Sequence, residues 1–460
     1  MTSPAERYGT PDTGAAPDPS AHVHLGVFYP GVGPQLLWAE STSHTSVATF
    51  VEVVTTLERG LFDAFFLGDG QRLRENRGKV YELDISGRPD SITQLAALAA
   101  VTERIGLVAT QNTTYSYPAD LARRLAGLDH LSGGRAGWNI VTTDNAWTGG
   151  NFRRPGWLEH ERRYDRAGQF VDAAKELWGT PVGTTVERHT DLVDFRAVAS
   201  VPRSTQGRPV LFQAGDSDGG RELAAAHADV VFSANTAYDK AVAYAVDLRA
   251  RLRRIGRSVD AVRILPGAGV VLGATRAEAE DKARWIHEQT VSPARALAFF
   301  EQYWGTDLSS YDPFGPLPDI EPAEGELDPS RGTLSIDRRT GKHAQVQAWR
   351  ELSKEQGLSI VDLARQVQLA HPSFIGTPGE IAEEWAHYVR TRAVDGFNVT
   401  PYQLPGQLTE IVDLLVPELQ ERGVYRAAYE GTTLRDHLAL PGVVDGVVDG
   451  AGGTVGARTA

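Results

Sequence analysis

The 460-residue chain contains no cysteine. Disulfides, thiolate metal sites and cysteine nucleophiles are therefore excluded. Basic charge is in deficit: 46 Lys and Arg face 59 Asp and Glu, a formal net charge of −13. Nucleic acids and anionic membrane surfaces attract basic protein, so neither is an expected partner. No apolar run reaches the roughly eighteen residues of a membrane span. The opening stretch MTSPAERYGTPDTGAAPDPSA lacks the apolar centre of a secretory leader, and the expected compartment is the cytoplasm.

What is present reads as a globular protein with 41% hydrophobic and 23% charged residues. Residues 1–21, rich in Pro, Ala, Ser and Thr, are expected to be a disordered arm, and the Gly-rich 441–460 a flexible tail. Between them, 22–440 reads as a single domain that alternates short apolar runs with amphipathic helices. Strands are predicted at 24–30, 62–69, 105–113, 135–143, 209–215, 229–235, 262–273 and 396–402, each followed by a helix. Apolar strands alternating with helices imply a parallel sheet covered on its outer face. Eight such units predict an α/β fold, a (β/α)8 TIM barrel, against a doubly wound open sheet as the alternative. Two stretches interrupt the alternation. Residues 184–200 read as a β excursion, and 290–377 as a lid or insertion whose YDPFGPLPDIEPAEGELDPSRG is too rich in Pro and Gly for a core.

A barrel of this kind places its chemistry at the C-terminal strand ends. Those ends carry Tyr29, Gly68 and Asp69, then Thr110, Asn112 and Thr113, then Trp138, Asn139, Thr142 and Thr143. Further on come Gln213, Gly215, Asp216, Ser217, Ser233, Asn235, Asn398, Thr400 and Tyr402. Amides, hydroxyls and aromatics dominate. Asp69 has no evident acid–base partner, and paired titratable groups are what hydrolysis needs. No HxH or HExxH spacing falls at a strand end, so no metal site is expected. Such a set suits a flat, polar, conjugated ring that brings its own chemistry, with amides reading its edge.

A dinucleotide site finds little support. GVGPQL (31–36) and GAGVVL (267–272) begin GxG but lack the third glycine of the phosphate turn.

Longer stretches carry a resemblance. They are FFLGD, RIGLVATQNTTYSYPADLARRLAGLDHLSGGRAGWNIVTT, HERRYDRAGQFV, RPVLFQAGDSDGGRELAA, ADVVFSA, DGFNVTPYQLPG and LVPELQERGVYRAAYEGTTLRDHL. Over about residues 22–440 the chain resembles the bacterial luciferase-like flavin monooxygenases, in the branch with nitrilotriacetate, dibenzothiophene sulfone and pristinamycin monooxygenases. The resemblance implies a luciferase-type barrel that binds reduced FMN, FMNH2, supplied by a separate NAD(P)H:flavin reductase. O2 would be the co-substrate; one oxygen atom would enter a small organic substrate and the other leave as water. A homodimer or homotetramer is implied as well.

By motif match, Asp69 and Thr110 should line the flavin pocket, and Asn139 and Trp138 should lie beside the ring system. His160 and Tyr164 should reach the phosphate tail or ribityl chain, and Ser217 the phosphate, with Gly215 and Asp216 of the same QAGDS stretch among the cofactor-binding residues. No catalytic side chain is assigned. Three stretches depart from the family pattern: YPGVGPQ after the first strand, NFR at 151–153, and Asp216, where the family has a small neutral residue. Asp216 is expected to weaken phosphate binding unless Arg221 compensates.

Ordinary structural roles stand beside these. Asp69 can also be read as a cap, Thr110 as a strand residue, His160 as surface, Tyr164 and Trp138 as core, and Ser217 as a helix N-cap. Two other functions fit the same barrel: a deazaflavin-dependent hydride-transfer enzyme, and a flavin-binding relative without turnover.

Overall fold

The computed structural model describes residues 3–9, 11–29, 37–38, 45–71, 75–76, 79–80, 89–142, 148, 150–152, 160–323, 341–368 and 372–443. Its centre is a parallel sheet of nine strands: β1 (His24–Tyr29), β2 (Ala64–Leu67), β3 (Gly106–Asn112), β4 (Ala136–Val141), β5 (Val210–Gln213), β6 (Val230–Val231), β7 (Arg263–Ile264), β8 (Gly267–Ala268) and β9 (Gly396–Val399). They are ordered β7-β6-β5-β4-β3-β2-β1-β9-β8. Helices follow most strands. Their ends obey local chemistry: Pro118 occupies the first turn of Pro118–Leu131, and Thr377 with Glu380 forms a capping box at the start of Pro378–Arg390.

The predicted seventh strand, 262–273, is broken. β7 and β8, at opposite ends of the sheet order, are two pieces of one chain segment separated by Leu265 and Pro266. On one side Leu265 N–H donates to Val231 O and Gly267 N–H to Ser233 O; on the other Asn398 N–H donates to Pro266 O and Thr400 N–H to Ala268 O. The third piece, Val270–Leu272, pairs instead with Phe374–Gly376. The proline ring has no N–H to give to a ladder, which accounts for the break.

Alternation along the strands separates two faces. Leu25, Val27, Phe65, Leu107, Ala109, Trp138 and Ile140 pack with the helices in the largest apolar cluster. Phe28, Ala64, Phe66, Val108, Val210, Phe212, Val230 and Leu265 fill the inner face, together with Leu434, Leu438 and Leu440 from the C-terminal segment. That segment, with its short helix Leu434–His437, closes the N-terminal side of the sheet. Gly106 makes room for it: a Cβ there would stand 2.3 Å from Leu434 Cδ1.

The same side carries buried carboxylates. Asp63, Asp229 and Asp395 accept from the N–H groups of Leu25, Leu211 and Ile264 at 2.7, 2.9 and 2.9 Å. Asp63 also binds Arg426 at 2.5 Å, and Asp229 binds Arg208 and Arg435 at 2.7 and 3.1 Å. Burial alone would raise both carboxyl pKa values; the guanidinium groups outweigh it and hold them below the usual range. These acids fasten strands to one another, a structural task.

Composition predicts a disordered arm over 1–21, but the described part of it is seated. Tyr8, in the helix Pro4–Tyr8, stacks on Tyr238 with ring centroids 4.5 Å apart, and the buried Arg249 donates to Thr13 O at 2.8 Å. Residues 184–200 form an antiparallel hairpin, Thr185–His189 with Asp194–Val198. The insertion has an apolar core of its own. Phe299, Phe300, Trp304, Trp349, Ile360 and Leu363 gather from the helices Pro293–Trp304, Lys342–Gln356 and Ile360–Gln368, which flank the Pro-rich stretch.

Candidate active site

At the C-terminal end of β3 and β4, Thr110 lies opposite Asn139 in the ladder. Asn139 Nδ2 donates to Thr110 Oγ1 at 3.1 Å, and both residues are buried. Asn139 Oδ1 is buried without a hydrogen-bond partner. An orphaned buried carbonyl costs free energy unless a donor is brought to it, so it is a candidate ligand contact. Asn112, two residues beyond Thr110, takes the N–H groups of Thr114 and Tyr115 on Oδ1 at 2.6 and 3.1 Å. Its Nδ2 is also buried and unpartnered. An orphan acceptor and an orphan donor therefore stand on neighbouring strand ends.

Trp138 does not join them. The expectation that it lies beside the ring system is corrected by strand alternation, which turns it to the helix side. There it is fully buried, its Nε1 donates to Gln111 O at 3.1 Å, and its ring centroid is 5.9 Å from Phe170 and 6.3 Å from Trp178.

Asp69 follows β2 and accepts from Ser91 N–H at 3.2 Å, at the first residue of the helix Ser91–Ala99. A carboxylate at a helix N-terminus is favoured by the free N–H groups there. Ser91 Oγ donates to Thr110 O at 3.0 Å, and Gln111 Nε2 donates to Ser91 Oγ at 3.0 Å. Asp69 and Thr110 are thereby tied through Ser91, which sequence reading missed. Its one signal is its place at a helix start just after Asp90.

A second group forms after β5. Ser217 caps the helix Asp218–His227, its Oγ accepting from Gly220 N–H at 3.1 Å. The Tyr164 hydroxyl lies 2.8 Å from the same Oγ. Close approach explains the glycines here: a Cβ on Gly219 would stand 2.8 Å from the Tyr164 ring, and one on Gly215 3.1 Å from Gly220 Cα. Tyr164 comes from His160–Gly179. His160 opens that helix one turn earlier and shares its face with Tyr164, although its side chain lies outside the described residues.

Asp216 does not turn its carboxylate loose beside Ser217. Its oxygens accept from Ala234 N–H and Asn235 Nδ2 at 3.0 and 3.2 Å. Arg221, expected to compensate its charge toward a phosphate, instead pairs with Asp247 at 3.0 Å and donates to Asp216 O at 3.1 Å.

Other motif residues frame these groups. Phe152 stacks on Tyr115 with centroids 5.2 Å apart, and Asn151 Nδ2 donates to Gln71 O at 2.6 Å. Buried Arg166 donates to the carbonyls of Thr113 and Ser116 at 3.0 and 2.9 Å, which sets the loop after β3. Thr143, Arg153 and residues 30–36 lie outside the described residues. Among the described residues, no three His, Asp or Glu side chains are grouped as a metal ion would require, and no helix is long and apolar enough to cross a membrane.

Known proteins share this arrangement of sequence and fold. The family model for luciferase-like monooxygenases matches residues 23–395. Nitrilotriacetate monooxygenase component A of Aminobacter aminovorans is 36% identical, over 91% of this chain and 94% of its own length. Dibenzothiophene-sulfone monooxygenase of Rhodococcus erythropolis is 33% identical, over 85% and 89%. Among solved structures, riboflavin lyase with modified FMN and its substrate riboflavin superposes with a TM-score of 0.72 at 27% identity, covering 91% of this chain and 95% of that one.

Proposed function

The chain belongs to the luciferase-like monooxygenase family and is an enzyme of that class, and from this premise we propose that it is the oxygenase component of a two-component system using reduced FMN and O2. The observation that carries the reading is the pair of orphaned amide atoms beside Thr110: Asn139 Oδ1 and Asn112 Nδ2, both buried at strand ends. A flavin ring has an edge of alternating donors and acceptors, and it suits such a pair. Ser217, Tyr164 and the helix N-terminus at Asp218 suit the phosphate of its tail, since a helix start offers free N–H groups and a favourable dipole. The residues present therefore fit FMN.

Bound reduced FMN would supply the electrons that activate O2. This chain's residues have other tasks. Thr110 and Asn139 orient the ring edge, Asn139 being held in one rotamer by the bond to Thr110. Asp69, carried on Ser91 and Gln111, lines the pocket wall. Ser217 and Tyr164 anchor the tail and so set how far the ring reaches over the strand ends. The apolar inner face beneath keeps water away from the reacting centre. No nucleophile–base pair is needed.

The same reading takes the sheet as a closed (β/α)8 barrel. Support comes from the segment 263–268, which carries ladder bonds to β6 on one side and to β9 on the other. Closure would bring the ends of β3, β4 and β5 around one mouth.

The electrons come from elsewhere. The relative from Aminobacter aminovorans is by name a component A, and both GxG stretches of this chain lack the third glycine of a nicotinamide phosphate turn. The test follows NADH absorbance and oxygenated product, offering the relatives' small organic substrates. Chain, FMN and NADH together should give no turnover, and adding a separate flavin reductase should start it. Sustained, substrate-dependent NADH consumption by the chain alone would overturn the two-component reading.

A further inference from the structure

Asp216 stands next to the hydroxyl assigned to the FMN phosphate, where a carboxylate should repel. Its contacts give it a different task. Oδ2 accepts from Ala234 N–H at 3.0 Å, Oδ1 from Asn235 Nδ2 at 3.2 Å, and its own carbonyl from Arg221 Nε at 3.1 Å. The partners are themselves held. Asn235 N–H donates to Ser233 Oγ at 3.3 Å, Gly267 N–H to Ser233 O at 2.9 Å, and Thr236 Oγ1 to Gly267 O at 2.6 Å. The turn 233–236 is thereby pinned to β8. On its other side the loop has no slack: a Cβ on Gly220 would lie 3.0 Å from the Gly215 backbone. Two donors share the carboxylate's charge, and the next acid, Asp218, is paired with Arg251 at 2.6 Å.

We propose that Asp216 is a positioning residue: it braces the loop after β5 against the turn after β6, and so holds Ser217 Oγ and the first turn of the helix Asp218–His227 in the arrangement that takes a phosphate. This rests on Ser217 as the phosphate seat. The departure from a small neutral residue at 216 is then a strut that aids binding, the reverse of what its charge alone implies.

The test compares oxidised FMN with riboflavin, which lacks the phosphate, by flavin fluorescence titration of the full chain. Thermal unfolding is recorded alongside. Asp216→Ala should weaken FMN about tenfold, the scale of one charge-assisted hydrogen bond, and riboflavin less than about twofold. Asp216→Asn keeps an acceptor oxygen and should fall between wild type and Asp216→Ala. Asn235→Ala should act in the same direction, and the double variant should be no weaker than Asp216→Ala, because both remove one bridge. If the alanine variant does not fold, Asn235→Ala reads the bridge from its other end. Tighter FMN binding by Asp216→Ala, or equal losses for FMN and riboflavin, overturns the brace. A wild-type chain with no preference for FMN over riboflavin overturns the phosphate seat, and the brace with it. A preference that survives Asp216→Ala in full overturns the brace alone.

Discussion

Asn139 faces Thr110 across two adjacent parallel strands and donates to its hydroxyl at 3.1 Å, leaving Asn139 Oδ1 buried without a hydrogen-bond partner. Asn139→Leu keeps the volume and removes both functions. With roughly 0.5–1.5 kcal/mol per hydrogen bond, flavin affinity should fall about three- to tenfold. Product formed per NADH should fall as well, because a loosened ring is poorly placed for transfer. Thr110→Val should act in the same direction and less strongly. Flavin titration and product yield check this; unchanged values for both would place the ring elsewhere.

Ser217→Ala removes an N-cap and the proposed phosphate ligand at once. Loss of the cap should cost about 1 kcal/mol of stability. FMN affinity should fall about tenfold with riboflavin affinity nearly unchanged. Tyr164→Phe retains the ring against Gly219 and loses only the hydroxyl, so its effect on FMN should be smaller. Calorimetry and paired titrations separate the two contributions.

Trp138→Ala should destabilise the fold by about 3–5 kcal/mol, as expected for an emptied aromatic site in a core. The folded fraction should still bind FMN with wild-type affinity, because the indole faces Phe170 and Trp178 rather than the strand ends. A large loss of flavin affinity in folded protein would contradict its placement on the helix side.

His437 lies in the C-terminal plug, against Tyr429 with ring centroids 4.7 Å apart. Burial pushes its pKa down to about 4, with Asp63 opposing and Arg426 reinforcing the shift. In the unfolded chain an imidazole takes its proton near pH ~6.5. The unfolded state therefore binds more protons between the two values, and stability falls as pH drops from about 6.5 to 4, by roughly 3 kcal/mol in all. His437→Leu should flatten that slope in denaturant titrations across the interval. A slope unchanged by the substitution would place the titration on other groups, of which His227, pushed down to about 3 by burial, is one.

Several of these features are legible in the chain and others are not. The helix starts at Pro118 and Ser217 follow from local capping chemistry. The seating of the N-terminal segment is not legible. It depends on the Tyr238 ring and on the Arg249 guanidinium, which are distant in sequence. The break at Pro266 has a local cause, but which neighbour each half pairs with does not. The insertion's core was hidden because Pro-rich composition obscures the apolar residues of the flanking helices, against which Tyr311 and Leu317 of that stretch also pack.

By itself the sequence determined the alternation of apolar strands and helices, the gathering of amides and hydroxyls at strand ends, and the serine that caps the helix after β5. These are properties of neighbouring residues: period, propensity and capping act over a few positions. Only the tertiary structure decided which member of the pair Trp138 and Asn139 turns to the helix side, because strand phase is set by what packs on each side of the sheet. It also decided that Asp216 is engaged with Ala234 and Asn235, because those donors reach it through the pairing of β5 with β6. A charge in a sequence has a sign; whether it repels a ligand or braces the loop that binds it depends on the groups folding brings within hydrogen-bond distance.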